Sequence, residues 1–203
     1  MVRKAGTIGA LLTMIIGGFT VNAQQPKAEL INEGTLTEIR EWLLVPVVFI
    51  TLEAQNIRYR DLKAGDIDTL DKRWRAEREA NEQPLIASTL NNPLSTYLTQ
   101  VQAASAGLFT EIFVTGARGL NAGQSAITSD FWQGDEAKFQ KTFDIGAGAV
   151  FIDEPELHEP TQTWRTQVNL TLQSSSGSPI GAATVEVNLT EMARRQSQNK
   201  GAN

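Results

Sequence analysis

Apolar residues at Leu36, Ile39, Leu43, Pro46 or Val47, Ile50, Ala54 and Ile57 recur at three- and four-residue intervals. That is the period of one helix face, and it predicts a single long amphipathic helix. Thr35 is its expected cap, with Glu38 as the capping-box partner three residues on. Pro46 lies inside the pattern. It removes a backbone donor and clashes with the preceding turn, so a kink is expected there. Residues 45–50 are apolar on nearly every side and are expected to be buried all round. Lys63-Ala64-Gly65 should end this helix and Asp66 cap a second one, with Ile67, Leu70 and Trp74 on one face. The mixed charges Arg73, Arg75, Glu77, Arg78 and Glu79 read as a solvated face. Pro84 breaks the pattern. Asn92-Pro93 then supplies the N-cap and first position of a third helix, with Leu94, Tyr97, Leu98 and Val101 facing inward.

The period changes at Leu108. Residues 108–115 are rich in β-branched and aromatic side chains and predict a strand. A turn at 116–119 and a weaker strand at 120–125 follow. Residues 129–139 (Ser-Asp-Phe-Trp-Gln-Gly-Asp-Glu-Ala-Lys-Phe) read as a loop running into a short helix, with Ser129 or Asp130 as cap. A strand is expected at 149–154, a polar loop at 155–161, and the clearest strand at 163–173. There Trp164, Val168, Leu170 and Leu172 alternate with Arg165, Gln167, Asn169 and Thr171. A serine-rich hairpin loop leads to a return strand at 179–189. Residues 194–203 read as a polar, frayed tail. Helices dominate the first half and strands the second, which is the α+β pattern. The closing hairpin makes the sheet at least partly antiparallel.

The first residues read as a targeting signal rather than as part of this fold. Arg3 and Lys4 precede an apolar run from Ala5 to Val21, and Val21-Asn22-Ala23 places small residues before Gln24. Residues 1–23 are therefore expected to be a cleaved secretory signal peptide, and the alternative is an uncleaved anchor. The remainder, 24–193, is one domain's worth of chain. Removing Arg3 and Lys4 takes the formal charge from −5 to −5 − 2 = −7. An acidic, Cys-free exported chain is a poor nucleic-acid binder and must hold itself together by packing. A bacterial periplasm is the expected location, with no membrane span after cleavage.

No catalytic constellation is legible. There is no Cys nucleophile, nucleophile elbow or phosphate loop, and His158, the sole histidine, reads as a solvated loop residue. The acidic cluster Asp153, Glu154, Glu156 and Glu159 lacks calcium-loop spacing and reads as a strand end. No metal or cofactor is expected, and the chain reads as non-catalytic. Residues 129–139 leave two readings open. Phe131, Trp132 and Phe139 could plug the core, or they could wall a ligand site to which Asp130 and Gln133 add polar contacts. Glu111, between Phe109 and Phe113, is equally two-sided. It either pairs with Arg165 beside Gln167 or joins Asp153 in facing an amine held by Phe131 and Trp132 through cation–π contact.

Several segments, in order, resemble the extracytoplasmic Cache domains, also called PDC or PAS-like sensor domains. They are the long N-terminal helix ending near Leu70-Asp71-Lys72-Arg73-Trp74, and Gly107-Leu108-Phe109 to Val114-Thr115 with the following Gly116-Ala117-Arg118-Gly119. Ser129-Asp130-Phe131-Trp132 comes next. The last is Gln167-Val168 to Leu172, the Gly177 turn, and Pro179-Ile180-Gly181-Ala182 to Val187. The resemblance implies a five-stranded antiparallel sheet with the long helix on one face. On the other face it implies a small-molecule pocket roofed by 129–139; the candidate ligand contacts read from the residues themselves are Glu111, Asp130, Phe131, Trp132, Gln133, Asp153 and Gln167. It implies signal transduction as the setting, with a membrane receptor or kinase as protein partner. No apolar span follows Leu189, so a freestanding exported version is expected. The family's amino-acid binders carry an Arg in the pocket segment, and 129–139 has none. A cationic or strongly hydrogen-bonding ligand is expected instead. The alternative is an assembly protein with a filled pocket that works through a partner receptor.

Overall fold

The 3–4 spacing of the first half is realised as two helices rather than one. The computed structural model describes residues 28–201, so the expected signal peptide at 1–23 lies outside the described residues. Helix α1 (Glu33–Leu43) is capped by Asn32, whose side chain accepts the Thr35 N–H at 3.1 Å. Thr35 is thus the third helical residue and not the cap. Helix α2 (Pro46–Arg58) starts on the proline, which occupies a first-turn position. Val45 before it is extended (φ −112°, ψ 150°), the conformation that a residue preceding proline prefers. The expected kink is therefore a full break. Burial is one-sided as well: Val48 and Leu52 are buried, whereas Ile50 and Ile57 are each 66% exposed.

Helix α3 (Ala64–Arg78) begins where the first helix was expected to end, and the Asp66 carboxylate accepts the Lys63 N–H at 2.9 Å. Pro84 opens a further helix, α4 (Pro84–Leu90). Its first free N–H groups, on Leu85 and Ile86, donate to the buried Glu77 carboxylate at 2.6 and 3.0 Å. Helix ends leave such donors orphaned, and a carboxylate meets both the hydrogen bonds and the dipole. Burial raises the Glu77 pKa, but these donors and Arg73 outweigh it and hold the group below its usual range. Glu77 is thus a buried cap rather than part of a solvated face. Helix α5 (Pro93–Ala104) follows, capped by Asn92 with Pro93 in its first turn.

The second half builds a sheet from β1 (Phe109–Gly116), β2 (Asn121–Gln124), β3 (Val150–Ile152), β4 (Glu156–His158), β5 (Thr163–Gln173) and β6 (Pro179–Asn188). The order is β2-β1-β6-β5-β3, with β4 also pairing β5, and all pairs are antiparallel. The fold is the expected α+β class. Strand β4 is a sixth strand where a polar loop was expected: Leu157 lies opposite Trp164, and the pairing overrides a loop-like composition. The stretch expected as a frayed tail is helix α7 (Leu189–Gly201), anchored by buried Leu189 and Met192. Arg195 ties it back to the Ser105 and Ala106 carbonyls at 2.8 and 2.9 Å.

Helices α1, α2 and α5 pack on one sheet face. There Ile112, Val185 and Val168 form one cross-strand row, and Val114, Ala183 and Leu170 the next. A second cluster joins Ile67, Trp74, Leu85, Ile86, Leu120 and Phe131. The opposite sheet face carries the candidate site.

Candidate functional site

Antiparallel partners point to the same side of a sheet. Glu111 pairs with Glu186, and Glu186 with Gln167. Asp153 extends the β3 register by donating its N–H to the Gln167 carbonyl at 2.9 Å. Asp153, Gln167, Glu186 and Glu111 therefore form one polar row across four strands. The next row is Phe151, Asn169, Thr184 and Phe113. Thr184 donates to the Asn169 carboxamide oxygen at 2.8 Å, and Asn169 donates to the Phe151 carbonyl at 3.1 Å. Both side chains are buried and satisfied.

A short helix, α6 (Ala137–Gln140), roofs this face. The Lys138 ammonium sits 5.4 Å from the Phe113 ring centre, and that of Lys141 4.1 Å from Phe151. Phe139 stacks on Phe143 at 4.9 Å. Phe139, Thr142, Gln133 and Gln124 are buried, so the middle of the face is filled. The polar row at its margin is half-open.

Within the row the charges are unequally matched. Arg165 is bound to Glu186 at 2.7 Å, and Thr110 donates to the same carboxylate. Among the described residues Glu111 has no side-chain hydrogen bond or ion pair. Of the two roles open to Glu111, pairing with Arg165 is not realised, because Glu186 takes that guanidinium. Burial, followed by the Glu186 carboxylate beside it, pushes the Glu111 carboxyl up to about 7, against the opposing pull of Lys138 and Arg165. A half-buried carboxylate with no partner favours its neutral form. Such a group is relieved by a cation or a strong donor.

The other expected site residues lie elsewhere. The 129–139 stretch is not a helix from its start, since Trp132 forms an antiparallel bridge with Leu120. Phe131 is buried against Trp74, with ring centres 5.2 Å apart, away from the polar row. Gln133 is buried and donates to the Asp130 carbonyl at 3.0 Å. Asp130 is ion-paired with Arg75 at 2.8 Å. Trp132 lines a separate groove of about 600 Å³ against α3, together with Ile67, Asp71, Arg75, Arg118 and Phe139. Glu111, Gln167 and Asp153 are thus brought together, while Phe131 and Trp132 are not brought to them.

One side chain shapes that division. Asp71 is buried on α3 and accepts the Phe131 and Trp132 N–H groups at 2.9 and 3.0 Å. Its other oxygen holds Arg75 at 2.7 Å, and Arg75 also reaches Asp130. This clamp fixes both aromatic residues on the α3 side. Gly119 (φ +73°) and Gly134 close the groove floor: a Cβ on Gly134 would lie 2.5 Å from the Trp132 indole nitrogen. The sequence reading missed Glu186, Lys138 and Asp71. Glu186 was visible only as a single charge inside an alternating strand, and Asp71 as one charge among many on a helix.

His158 lies on β4, within 2.7 Å of the Thr161 hydroxyl. Among the described residues no group of three or more His, Cys, Asp or Glu could hold a metal ion. No helix among them is long and apolar enough to cross a membrane.

No family model matches the sequence, and no curated protein matches it. Solved structures do. The chain is similar to the extracellular domain of a protein assigned as a histidine kinase, rpHK1S-Z16, at 13% identity and a TM-score of 0.42, over 73% of this chain and 54% of that one. It is similar to the sensory domain of the Campylobacter jejuni chemoreceptor Tlp3 at 12% identity and a TM-score of 0.39, over 82% and 65%. It is also similar to the E. coli DcuS sensor domain at 15% identity and a TM-score of 0.40, over 64% and 96%. The chain spans about half to two thirds of the length of the first two.

Proposed function

We propose that this chain is an extracytoplasmic, non-catalytic small-molecule-binding domain of the Cache sensor type, located in the periplasm after loss of residues 1–23. Its ligand sits at the margin of the roofed sheet face, against Glu111, Gln167, Glu186 and Asp153. The observation that carries this reading is the unpaired, half-buried Glu111 carboxylate at the end of the polar row. The row is rich in acceptors, and of the two cations near it Arg165 is committed to Glu186 and Lys138 to Glu136. A cationic or donor-rich small molecule fits it best. Trp132 lines the neighbouring groove, and Asp130 is ion-paired with Arg75, which lines that groove as well.

A thermal-shift screen of amines, carboxylates, sugars and nucleobases at neutral pH tests the reading, because a ligand that binds only the folded state raises the midpoint. An amine should raise it, and Glu111→Gln should abolish that rise. An anion that binds tightly and is indifferent to Glu111→Gln would overturn it.

The filled middle of the same face favours a second reading, an assembly protein acting through a membrane receptor or kinase. Silence of the whole screen would favour that role.

A further inference from the structure

Two coverings of the sheet stop short of the same corner. Helix α1 ends at Leu43, and the chain is extended at Val45 before α2 restarts on Pro46. On the strand side, β3 pairs β5 only from Val150 opposite Leu170 to Ile152 opposite Val168. The Ala149 carbonyl adds one bond, accepting the Thr171 N–H at 3.1 Å. Before it, Gly146 (φ +113°) and Gly148 (φ +77°) are left-handed, a conformation that suits glycine and does not continue a strand. Strand β5 nevertheless runs on to Gln173. The corner between the end of α1 and the end of β5 is a cavity of about 330 Å³ lined by Leu43, Leu44, Val150, Leu170, Leu172 and Arg40. Leu43, Leu170 and Leu172 belong to the core on the helix-packed side, so the cavity lies across the sheet from the Glu111 row.

We propose that this corner is a second ligand site, specific for a monocarboxylate with a short alkyl tail. Among the described residues lining it, Arg40 alone carries a charge. Its one ion pair among the described residues is to Glu33 at 3.8 Å, and that glutamate side chain is 87% exposed. So long and solvated a pair holds a guanidinium weakly. A guanidinium presents paired N–H donors that match the two oxygens of a carboxylate. The leucines and Val150 take the tail, whose burial removes apolar surface from water. The volume is at the lower end for small-molecule cavities, which start at about 300 Å³, so the ligand is small. An amine would meet the like charge of Arg40. A sugar or a dicarboxylate would bury polar groups against leucines with nothing to bond them. So small a ligand is held weakly, with a dissociation constant on the order of 1 mM.

Amide NMR titration of the exported chain with butyrate, pentanoate and hexanoate at neutral pH tests the proposal. Saturable shifts should appear at Gly148 and Leu172, and affinity should rise about fourfold for each added methylene. Hexylamine, with the same tail and the opposite charge, should leave those amides unmoved. Arg40→Gln should weaken hexanoate by about tenfold or more, because it removes a charge-assisted pair. The melting temperature of the ligand-free variant should not change, since the Glu33 pair contributes little. Arg40→Lys keeps the charge without the fork and should fall between. Leu44 is 65% exposed, so Leu44→Asp should spare the fold yet weaken hexanoate several-fold by like-charge repulsion. Glu111→Gln should leave hexanoate binding unchanged. Weak binding that answers to Arg40 in this way is distinct from the tight anion binding that would overturn the amine reading of the polar row. Absence of saturable shifts with all three acids overturns the proposal. So does hexanoate binding that Arg40→Gln leaves intact, or that hexylamine matches.

Discussion

On the helix-packed face of the sheet, Ile112, Val114, Val168, Val185 and Val187 are closed off from water. On the opposite face the same strands carry Glu111, Thr184, Glu186, Gln167 and Asn169. The first face is held mainly by apolar burial and has few polar obligations, among them Thr166, whose hydroxyl donates to the Asp153 carbonyl at 2.6 Å. The second must satisfy each donor and acceptor it covers, and does so unevenly. Thr184 and Asn169 pair fully and Glu186 is matched by Arg165, whereas Glu111, the Gln124 carboxamide nitrogen and the Thr171 hydroxyl are left without hydrogen-bond partners among the described residues. An apolar face can be closed by anything that fits, whereas a polar one stays partly open wherever its last group lacks a partner. That residual mismatch makes the roofed face the binding candidate and the helix-packed face the scaffold.

The largest effect is expected on the scaffold face. Ile112→Ala should cost about 2–5 kcal/mol, because Ile112 is fully buried and its neighbours belong to three elements that cannot all collapse into the void. Urea unfolding measures it, and a loss near zero would mean the two faces are not energetically distinct.

Next comes the clamp between α3 and the roof. Asp71→Asn keeps one oxygen for the Phe131 and Trp132 N–H groups but loses the ion pair to Arg75. A cost of about 1.5–3 kcal/mol is expected, the range for hydrogen bonds to a charged group, together with increased amide exchange at Trp132. Unchanged exchange there would mean that the aromatic pair is held by packing alone.

A smaller effect of opposite sign is expected on the polar face. The Glu111 carboxyl rises from 4.5 to about 7 on folding. The folded state therefore holds a proton that the unfolded state has lost between those pH values. Stability from this group is fully present below about pH 4.5 and declines as pH rises toward 7. Glu111→Gln removes the titration. It should stabilise the protein by about 1–3 kcal/mol at pH 8 and change little at pH 4, as read from melts at the two pH values. Destabilisation at pH 8 would show that Glu111 has an internal partner after all.

The smallest effect belongs to the outer surface. Ile50→Ser should shift stability by less than about 0.5 kcal/mol, since the side chain contributes to neither face of the sheet. A larger loss would place Ile50 in the core.

Much of the scaffold was legible in local pattern. The alternation of Trp164 to Leu172 marked β5 to the residue, and Asn92-Pro93 marked the start of α5. Both signals are short-range: side-chain period sets which face is buried, and cap chemistry acts within one turn. The break at Pro46 was visible as a disturbance, but not its size. A proline tolerates either a kinked helix or a fresh start, and the extended Val45 settled the choice once both helices had docked on the sheet.

The sequence by itself determined the fold class, the two periodicities, the strands of the closing hairpin and the presence of Glu111, Gln167 and Asp153 at polar positions. Only the tertiary structure decided which polar groups meet. Strand register joined Glu186 to Glu111 and handed Arg165 to Glu186. The Asp71 clamp drew Phe131 and Trp132 to the α3 side, away from the carboxylates beside which composition had suggested them. Pairing of β4 with β5 and docking of α7 gave order to two stretches that read as loop and tail. The physical reason is the same in each case. Local propensity is set by neighbours along the chain, whereas the match of charges, donors and acceptors is set by neighbours in space, and a one-residue change of register would exchange them all.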